Sequence, residues 1–107
     1  MATHYTVTVT APTSEEAKAL GQYAVESRMA ACAQVSGPIT STYWWDGEIT
    51  SASEYVCTLK TTSHRLQALM EVMRGVHSYD VPEIVAVPLA AGDSSYLAWI
   101  EAETRER

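Results

Sequence analysis

The chain has 107 residues, of which 47% are hydrophobic and 19% are charged, a balance typical of one globular domain spanning residues 1–107. Its 13 acidic and 7 basic residues give a formal net charge of −6, which argues against a nucleic acid or an anionic membrane as the main partner. No apolar run approaches the ~20 residues of a membrane span, and the N-terminus lacks a signal-peptide pattern, so we expect a cytoplasmic protein.

The first part of the chain predicts a strand followed by a helix. Residues 5–10, YTVTVT, alternate apolar and polar side chains as a half-buried strand does. Thr13 and Glu16 have the spacing of a capping box, which marks a helix N-terminus. Small and apolar residues then recur at helical spacing, which predicts a helix from Ser14 to about Ala30.

A long hairpin is predicted around Asp46-Gly47, because a type I′ turn needs positive φ at both central residues. Each arm has roughly 13 residues, or ~43 Å, whereas a domain of this size has a radius of gyration of only ~13 Å. Its tip carries Tyr43, Trp44 and Trp45, and we expect these aromatic residues to contact another copy of the chain. The alternative is a hairpin that bends at Gly37-Pro38, a predicted bulge or bend, and lays its tryptophans on its own helices.

Cys32 and Cys57 are expected to be free thiols. Continuous pairing from the turn places Cys57 opposite Ser36 and Lys60 opposite residue 33. Cys32 then lies too far along the strand for a disulfide with Cys57. A nearby Lys60 ammonium would favour the Cys32 thiolate as a metal ligand or nucleophile. The alternative is a buried cysteine and a solvated lysine.

The second half predicts a helix, a strand and a short helix. Ser63 begins a helix whose apolar stripe includes Leu69 and Met73. Residues 83–89, EIVAVPL, read as the last strand, buried on both faces at 84–87 and ending or lying at an edge because of its proline. Asp93 or Ser94 then caps a short helix.

This order, β-α-β-β-α-β plus a C-terminal helix, predicts an α+β ferredoxin-like fold. Two helices would cover one face of a four-stranded antiparallel sheet, with a long central hairpin.

The segment HSYDVPE at 77–83 holds the densest group of chemistry-bearing side chains. A histidine nitrogen and carboxylate oxygens are ligands for Zn, Cu or Mn. The spacing matches no known metal signature, so His77, Asp80 and Glu83 would need a turn or a partner chain to converge. His77 alone is also favoured at a helix C-terminus by the macrodipole.

Several separate motifs together resemble the CutA family of divalent-cation tolerance proteins. They are AAC at 30–32, YWWDGEI at 43–49, Glu54 six residues before LKT at 59–61, HSYDVPE at 77–83 and YLAW at 96–99. They cover nearly the whole chain in order. The resemblance implies a cytoplasmic, non-enzymatic homotrimer that confers tolerance to copper and other divalent metals, with no obligatory cofactor.

The resemblance also implies functional residues. The candidate ligands for Cu(II) or another divalent cation are His77, Cys32 and Glu83. An interfacial pocket would contain Trp45, Glu54, Lys60, Tyr79, Asp80, Tyr96 and Trp99. The oligomer interface would contain Tyr43, Trp44 and Trp45.

The chain departs from the family pattern at three positions. Ser78 stands where the family commonly has proline. Val9 and Val76 stand where a copper-binding form has a cysteine and a second histidine, so of those ligands only His77 remains.

The leading hypothesis is a trimeric copper-tolerance protein that binds metal weakly at or near subunit interfaces. The alternative is a regulatory or scaffold trimer, similar in architecture to PII signalling proteins, that binds a small ligand or a partner protein. An enzyme using Lys60, His77 and Glu83 has no recognisable reaction class. RNA binding by this fold needs stacking aromatic residues on a basic sheet, and this chain is acidic and has no phenylalanine.

Overall fold

A computed structural model describes residues 3–106, so residues 1, 2 and 107 of the expected domain lie outside the description. Within it, the strands are β1 (His4–Ala11), β2 (Cys32–Trp45), β3 (Glu48–Thr62) and β4 (Ile84–Pro88), and the helices are α1 (Ser14–Glu26), α2 (Ser63–Val76) and α3 (Ser94–Glu103). The strands form one sheet in the order β2-β3-β1-β4, with antiparallel neighbours throughout. The predicted ferredoxin-like order and its additional C-terminal helix are confirmed. No helix within residues 3–106 is long and apolar enough to cross a membrane.

The core lies between the sheet and the two longer helices. Side chains alternate along each strand, so every second residue of β1 and β3 faces α1 and α2. The buried residues of this layer are Val7, Val9, Cys57 and Leu59 from the sheet, Ala17, Leu20 and Ala24 from α1, and Leu69 and Met73 from α2. We call the opposite side of the sheet, which carries Thr8, Thr58 and Lys60, the open face.

Helix α3 lies over one end of the open face. There the Tyr96 hydroxyl is 3.5 Å from the Cys32 sulfur, and the His4 Nε2 is 2.9 Å from a Glu101 carboxylate oxygen. Asp93 caps this helix, since its carboxylate accepts a hydrogen bond from the Tyr96 N–H.

Helix α1 is shorter than predicted. Thr13 caps its start by accepting the Glu16 N–H at 3.1 Å, as the sequence indicates. The helix ends at Glu26 rather than near Ala30, because Arg28 adopts a left-handed φ of 64° that a continuing helix cannot contain. The Arg65 guanidinium stabilises this turn through the Arg28 carbonyl oxygen.

The hairpin turn has the predicted form. Asp46 and Gly47 both have positive φ, at 51° and 78°, as a type I′ turn requires. A β-bulge between Ser36 and Ile39 confirms the predicted irregularity at Gly37-Pro38.

The bulge corrects the predicted pairing nearer the core. Because β2 contains one extra residue there, Cys57 pairs with Val35 rather than Ser36. Lys60 likewise pairs directly with Cys32 rather than with residue 33. Both cysteines are free, as expected.

Strand β4 lies at the predicted edge of the sheet, but it is not buried on both faces. Ile84 and Ala86 pack against the core, whereas Val85 and Val87 are 49% and 54% exposed on the open face. The prediction of two-sided burial was wrong because the two long helices cover only one side of the sheet.

Candidate functional site

The hairpin tip exposes large apolar side chains. Trp44 is 72% exposed and Trp45 is 65% exposed, so neither folds back onto the chain's own helices. Strand alternation puts Trp45 and Tyr43 on the open face and Trp44 on the other. Trp44 pairs across the strands with Ile49, which is also 65% exposed. Each face of the tip therefore presents apolar surface to its surroundings.

A groove of about 600 Å³ lies between the hairpin and the loop at 77–83. We call it the hairpin groove. It lies on the open face, at the end away from α3. Its lining residues are Thr10, Ser41, Thr42, Tyr43, Trp45, Glu54, Tyr79, Val81 and Glu83.

Glu54 and Tyr79 form the polar centre of the hairpin groove. Glu54 is only 8% exposed, and its carboxylate accepts a hydrogen bond from the Tyr79 hydroxyl at 3.2 Å. Burial raises the pKa of Tyr79, and the negative charge of Glu54 and this hydrogen bond raise it further. Tyr79 is therefore held as a protonated donor.

His77 is occupied by internal hydrogen bonds. Its side chain is fully buried, with Nε2 donating to the Thr10 carbonyl oxygen at 2.6 Å and Nδ1 accepting the Tyr79 N–H at 3.0 Å. These partners place a proton on Nε2, and Nδ1 also lies 3.6 Å from a Glu16 carboxylate oxygen. Both nitrogens are thus engaged, and the ring packs 5.0 Å from that of Tyr79, which it holds in the groove.

Ser78 has a specific partner. Its N–H and hydroxyl both donate to Glu16 at the start of α1, at 3.2 and 2.8 Å. A proline at this position could not donate the first of these bonds.

Cys32 lies outside the hairpin groove, at the end of the open face that α3 covers. Its sulfur contacts the Tyr96 hydroxyl, and this hydrogen bond, followed by burial, raises the pKa of Tyr96 to about 12. The rings of Tyr96 and Trp99 stack with centroids 5.6 Å apart. Lys60, paired with Cys32, donates to the Gln34 side chain at 3.3 Å.

Within one subunit, the residues of the predicted interfacial pocket lie in two places. Trp45, Glu54 and Tyr79 line the hairpin groove, whereas Lys60, Tyr96 and Trp99 lie with Cys32 at the other end of the open face. Asp80 is exposed and is outside the groove lining.

The three candidate metal ligands lie in three different settings. Cys32 is beside α3, His77 is beneath Tyr79, and Glu83 is at the groove. Within residues 3–106, no group of three or more His, Cys, Asp or Glu side chains is placed to hold a metal ion. A single subunit does not bring these ligands together.

The sequence reasoning missed four of the groove residues, which are Thr10, Ser41, Thr42 and Val81. Strict alternation in β1 assigns Thr10 to the face opposite Val9, which is a usable signal, whereas the position of Val81 depends on how the loop at 77–83 folds.

Comparison with known proteins identifies relatives along almost the whole chain. The family model described as "CutA1 divalent ion tolerance protein" matches residues 5–103. The "Divalent-cation tolerance protein CutA" of Thermus thermophilus is 40% identical over 98 residues, covering 92% of this chain and 95% of the relative. "Protein CutA" of Mus musculus is 41% identical, covering 90% of this chain but only 54% of the mouse protein. The chain thus spans about half the length of this animal relative.

Solved structures agree with this fold. The crystal structure of CutA1 from Oryza sativa superposes with a TM-score of 0.93 at 36% identity, covering 98% of this chain and 96% of the other. The divalent ion tolerance protein CutA1 from Ehrlichia chaffeensis gives a TM-score of 0.93 at 28% identity, covering 99% of both chains. Names of other relatives mention the chloroplast and the periplasm.

Proposed function

The chain belongs to the CutA1 family of divalent ion tolerance proteins, and from that premise we propose that it acts as a homotrimer that binds divalent cations weakly at its subunit interfaces. The family description names a tolerance role rather than a reaction, and we propose a non-enzymatic protein of the cytoplasm. Copper is the proposed cation.

The observation that carries this proposal is the exposed apolar tip of the hairpin. Trp44 with Ile49 on one face, and Trp45 with Tyr43 on the other, form apolar surface of the kind that protein contacts bury. Exposed valines of β4 extend such surface along the open face. A tip that packs on a different part of a neighbouring copy makes a heterologous contact, and such contacts form a ring when the rotation between copies closes. The number of subunits follows the family resemblance.

Solution mass tests this assembly. Light scattering after size exclusion should give the mass of three chains for the parent protein. The double variant Trp44→Ala, Trp45→Ala should give a lower mass at equal concentration, because truncating such aromatic anchors costs about 2 kcal/mol or more each. Tyr23→Ala, which removes a half-exposed ring from α1, is the matched control and should stay trimeric. A double variant that remains a trimer as stable as the parent contradicts the proposal.

The proposed metal donors are the Cys32 thiolate and the Glu83 carboxylate. They lie towards opposite ends of the open face of one subunit, so donors from a neighbouring copy would have to complete a site. His77 could join them only by giving up its hydrogen bond to Thr10 or to Tyr79. Thiolate, imidazole and carboxylate donors together suit copper and zinc.

Calorimetric titration with Cu(II) tests the metal site. The parent should bind saturably, and Cys32→Ser and Glu83→Gln should each weaken binding by about tenfold or more. Glu15→Gln removes an exposed carboxylate from α1 and serves as the control. The metal claim fails if the parent shows no saturation, or if both site variants bind copper as the parent does.

A second candidate function is favoured by the hairpin groove. A buried carboxylate among aromatic walls is typical of a site for a small ligand, in line with a regulatory trimer of PII-like architecture. A thermal-shift screen tests it, because a ligand that binds only the folded protein raises its apparent stability.

A further inference from the structure

The hairpin groove contains a buried acidic group with little internal compensation. Glu54 is 92% buried. Among residues 3–106, its carboxylate takes part in no ion pair. Its hydrogen-bond partner is the Tyr79 hydroxyl. A buried carboxylate normally needs a cation or several donors to offset its lost hydration. The Tyr79 hydroxyl offsets part of that cost, and because no buried side-chain oxygen among residues 3–106 lacks a partner, the other carboxylate oxygen is open to the groove.

Among residues 3–106, no ion pair joins a lysine, arginine or histidine to this carboxylate. Lys60 is on the same strand and the same face, but it is six residues away, or about 20 Å along β3. Its ammonium donates to Gln34. Arg28 and Arg65 are held near α3 by Glu103 and Glu106.

The walls around Glu54 are aromatic. Tyr43, Trp45 and Tyr79 line the groove and are 40%, 65% and 37% exposed in one subunit, so in the proposed trimer they form one wall of a cleft that the neighbouring copy borders. Aromatic ring faces attract cations, and they do so best when the cation is poorly hydrated. Val81 adds apolar wall.

From this geometry we propose that the hairpin groove binds a small organic cation, an ammonium group that carries methyl or methylene carbons. The charged head would lie against Glu54 between Trp45 and Tyr79, with its carbons on Tyr43 and Val81. The groove volume of about 600 Å³ accommodates such a head group and leaves room for further atoms of the ligand. The inference deepens the ligand-binding candidate above and rests on that candidate.

The test uses two probes of nearly equal shape, choline and its uncharged carbon analogue 3,3-dimethylbutan-1-ol. Calorimetry on the 107-residue chain should show saturable choline binding at least about tenfold tighter than that of the neutral analogue. The indole N–H signal of Trp45 should shift on adding choline, whereas that of Trp44, on the other face of the hairpin, should not.

Two variants identify the groups responsible. Glu54→Gln keeps the shape but removes the charge and should weaken choline binding by about tenfold or more while leaving the analogue unchanged. Trp45→Leu removes an aromatic face and should weaken choline binding selectively. Its solution mass is measured alongside, because Trp45 also lies on the proposed interface, and a Trp45→Leu trimer with weakened binding keeps the test decisive if Glu54→Gln does not fold. Glu48→Gln, on the same face beside the turn but outside the groove lining, should bind choline as the parent does.

The proposal is overturned if choline and its analogue bind equally, if neither binds, or if the folded variants bind choline as the parent does. The proposal is also overturned if the parent does not bind choline and Glu54→Gln no longer forms a trimer. In that case the carboxylate of Glu54 would be bound by a neighbouring subunit instead of by a ligand. These outcomes leave the parent's mass and copper titration unaffected, so a failure here is distinct from a failure of the trimer or of the metal site.

Discussion

Replacing Gly21 by alanine tests how closely α1 packs on the sheet. A Cβ atom at this position would lie 2.8 Å from the Ala33 Cβ and 3.2 Å from the Cys57 sulfur. Neither neighbour is the far end of a flexible side chain, so the helix itself would have to move. Gly75 in α2 is the natural comparison, because a Cβ added there meets nothing within 4 Å.

Two opposing free-energy terms set the expected result. Glycine to alanine in a helix interior gains up to about 1 kcal/mol of helix propensity. Overpacking a close-packed contact costs about 1–3 kcal/mol. Gly21→Ala should therefore lower the free energy of unfolding by about 1 kcal/mol. Gly75→Ala, near the helix end, should raise it by about 0.5 kcal/mol.

Guanidinium unfolding followed by circular dichroism measures both variants. One chain concentration must be used throughout, because the stability of an oligomer depends on concentration. The double variant Gly21→Ala, Ala33→Gly removes the 2.8 Å contact and should recover part of the loss. If Gly21→Ala stabilises the protein as much as Gly75→Ala does, the packing argument is refuted.

Three further predictions concern stability. Gly47→Ala forces a side chain into φ of 78° and should cost about 1 kcal/mol, measured by urea unfolding with Gly75→Ala as the control. Thr13→Ala removes the cap on the Glu16 N–H and should cost about 1 kcal/mol by the same assay, and an unchanged midpoint would contradict the capping role. Burial raises the pKa of Cys57 from 9.0 to about 11, so the folded state keeps a proton that the unfolded state releases. Stability should therefore fall as the pH rises from about 9 to about 11, and Cys57→Ala should show a shallower fall than the parent.

Local features of the fold could be predicted because their causes lie within a few residues. The Asp46-Gly47 turn needs only two adjacent residues that tolerate positive φ, and the Thr13 cap needs only a hydroxyl before a helix. The end of α1 could not be predicted in this way. It depends on Arg28 and on Arg65, which is 37 residues further along the chain.

The candidate site shows the same limit. The resemblance singled out Glu54, Tyr79 and His77, but the sequence could not show that Glu54 is buried beneath Tyr79. Nor could it show that the His77 ring is bound to the carbonyl of Thr10, 67 residues away. Such facts depend on how the loop at 77–83 folds over the sheet, which no local pattern determines.

The bulge at Gly37-Pro38 also determines which side of the sheet each residue of β2 faces. Cys32 and Trp45 are an odd number of residues apart, which in a regular strand would place them on opposite sides of the sheet. The extra residue restores the phase, so that both face the same side while Ala33 and Val35 remain packed in the core. Deleting one residue here with the turn unchanged would turn Ala33 outward and drive Cys32 inward. Insertions or deletions in this arm should therefore be tolerated only in pairs.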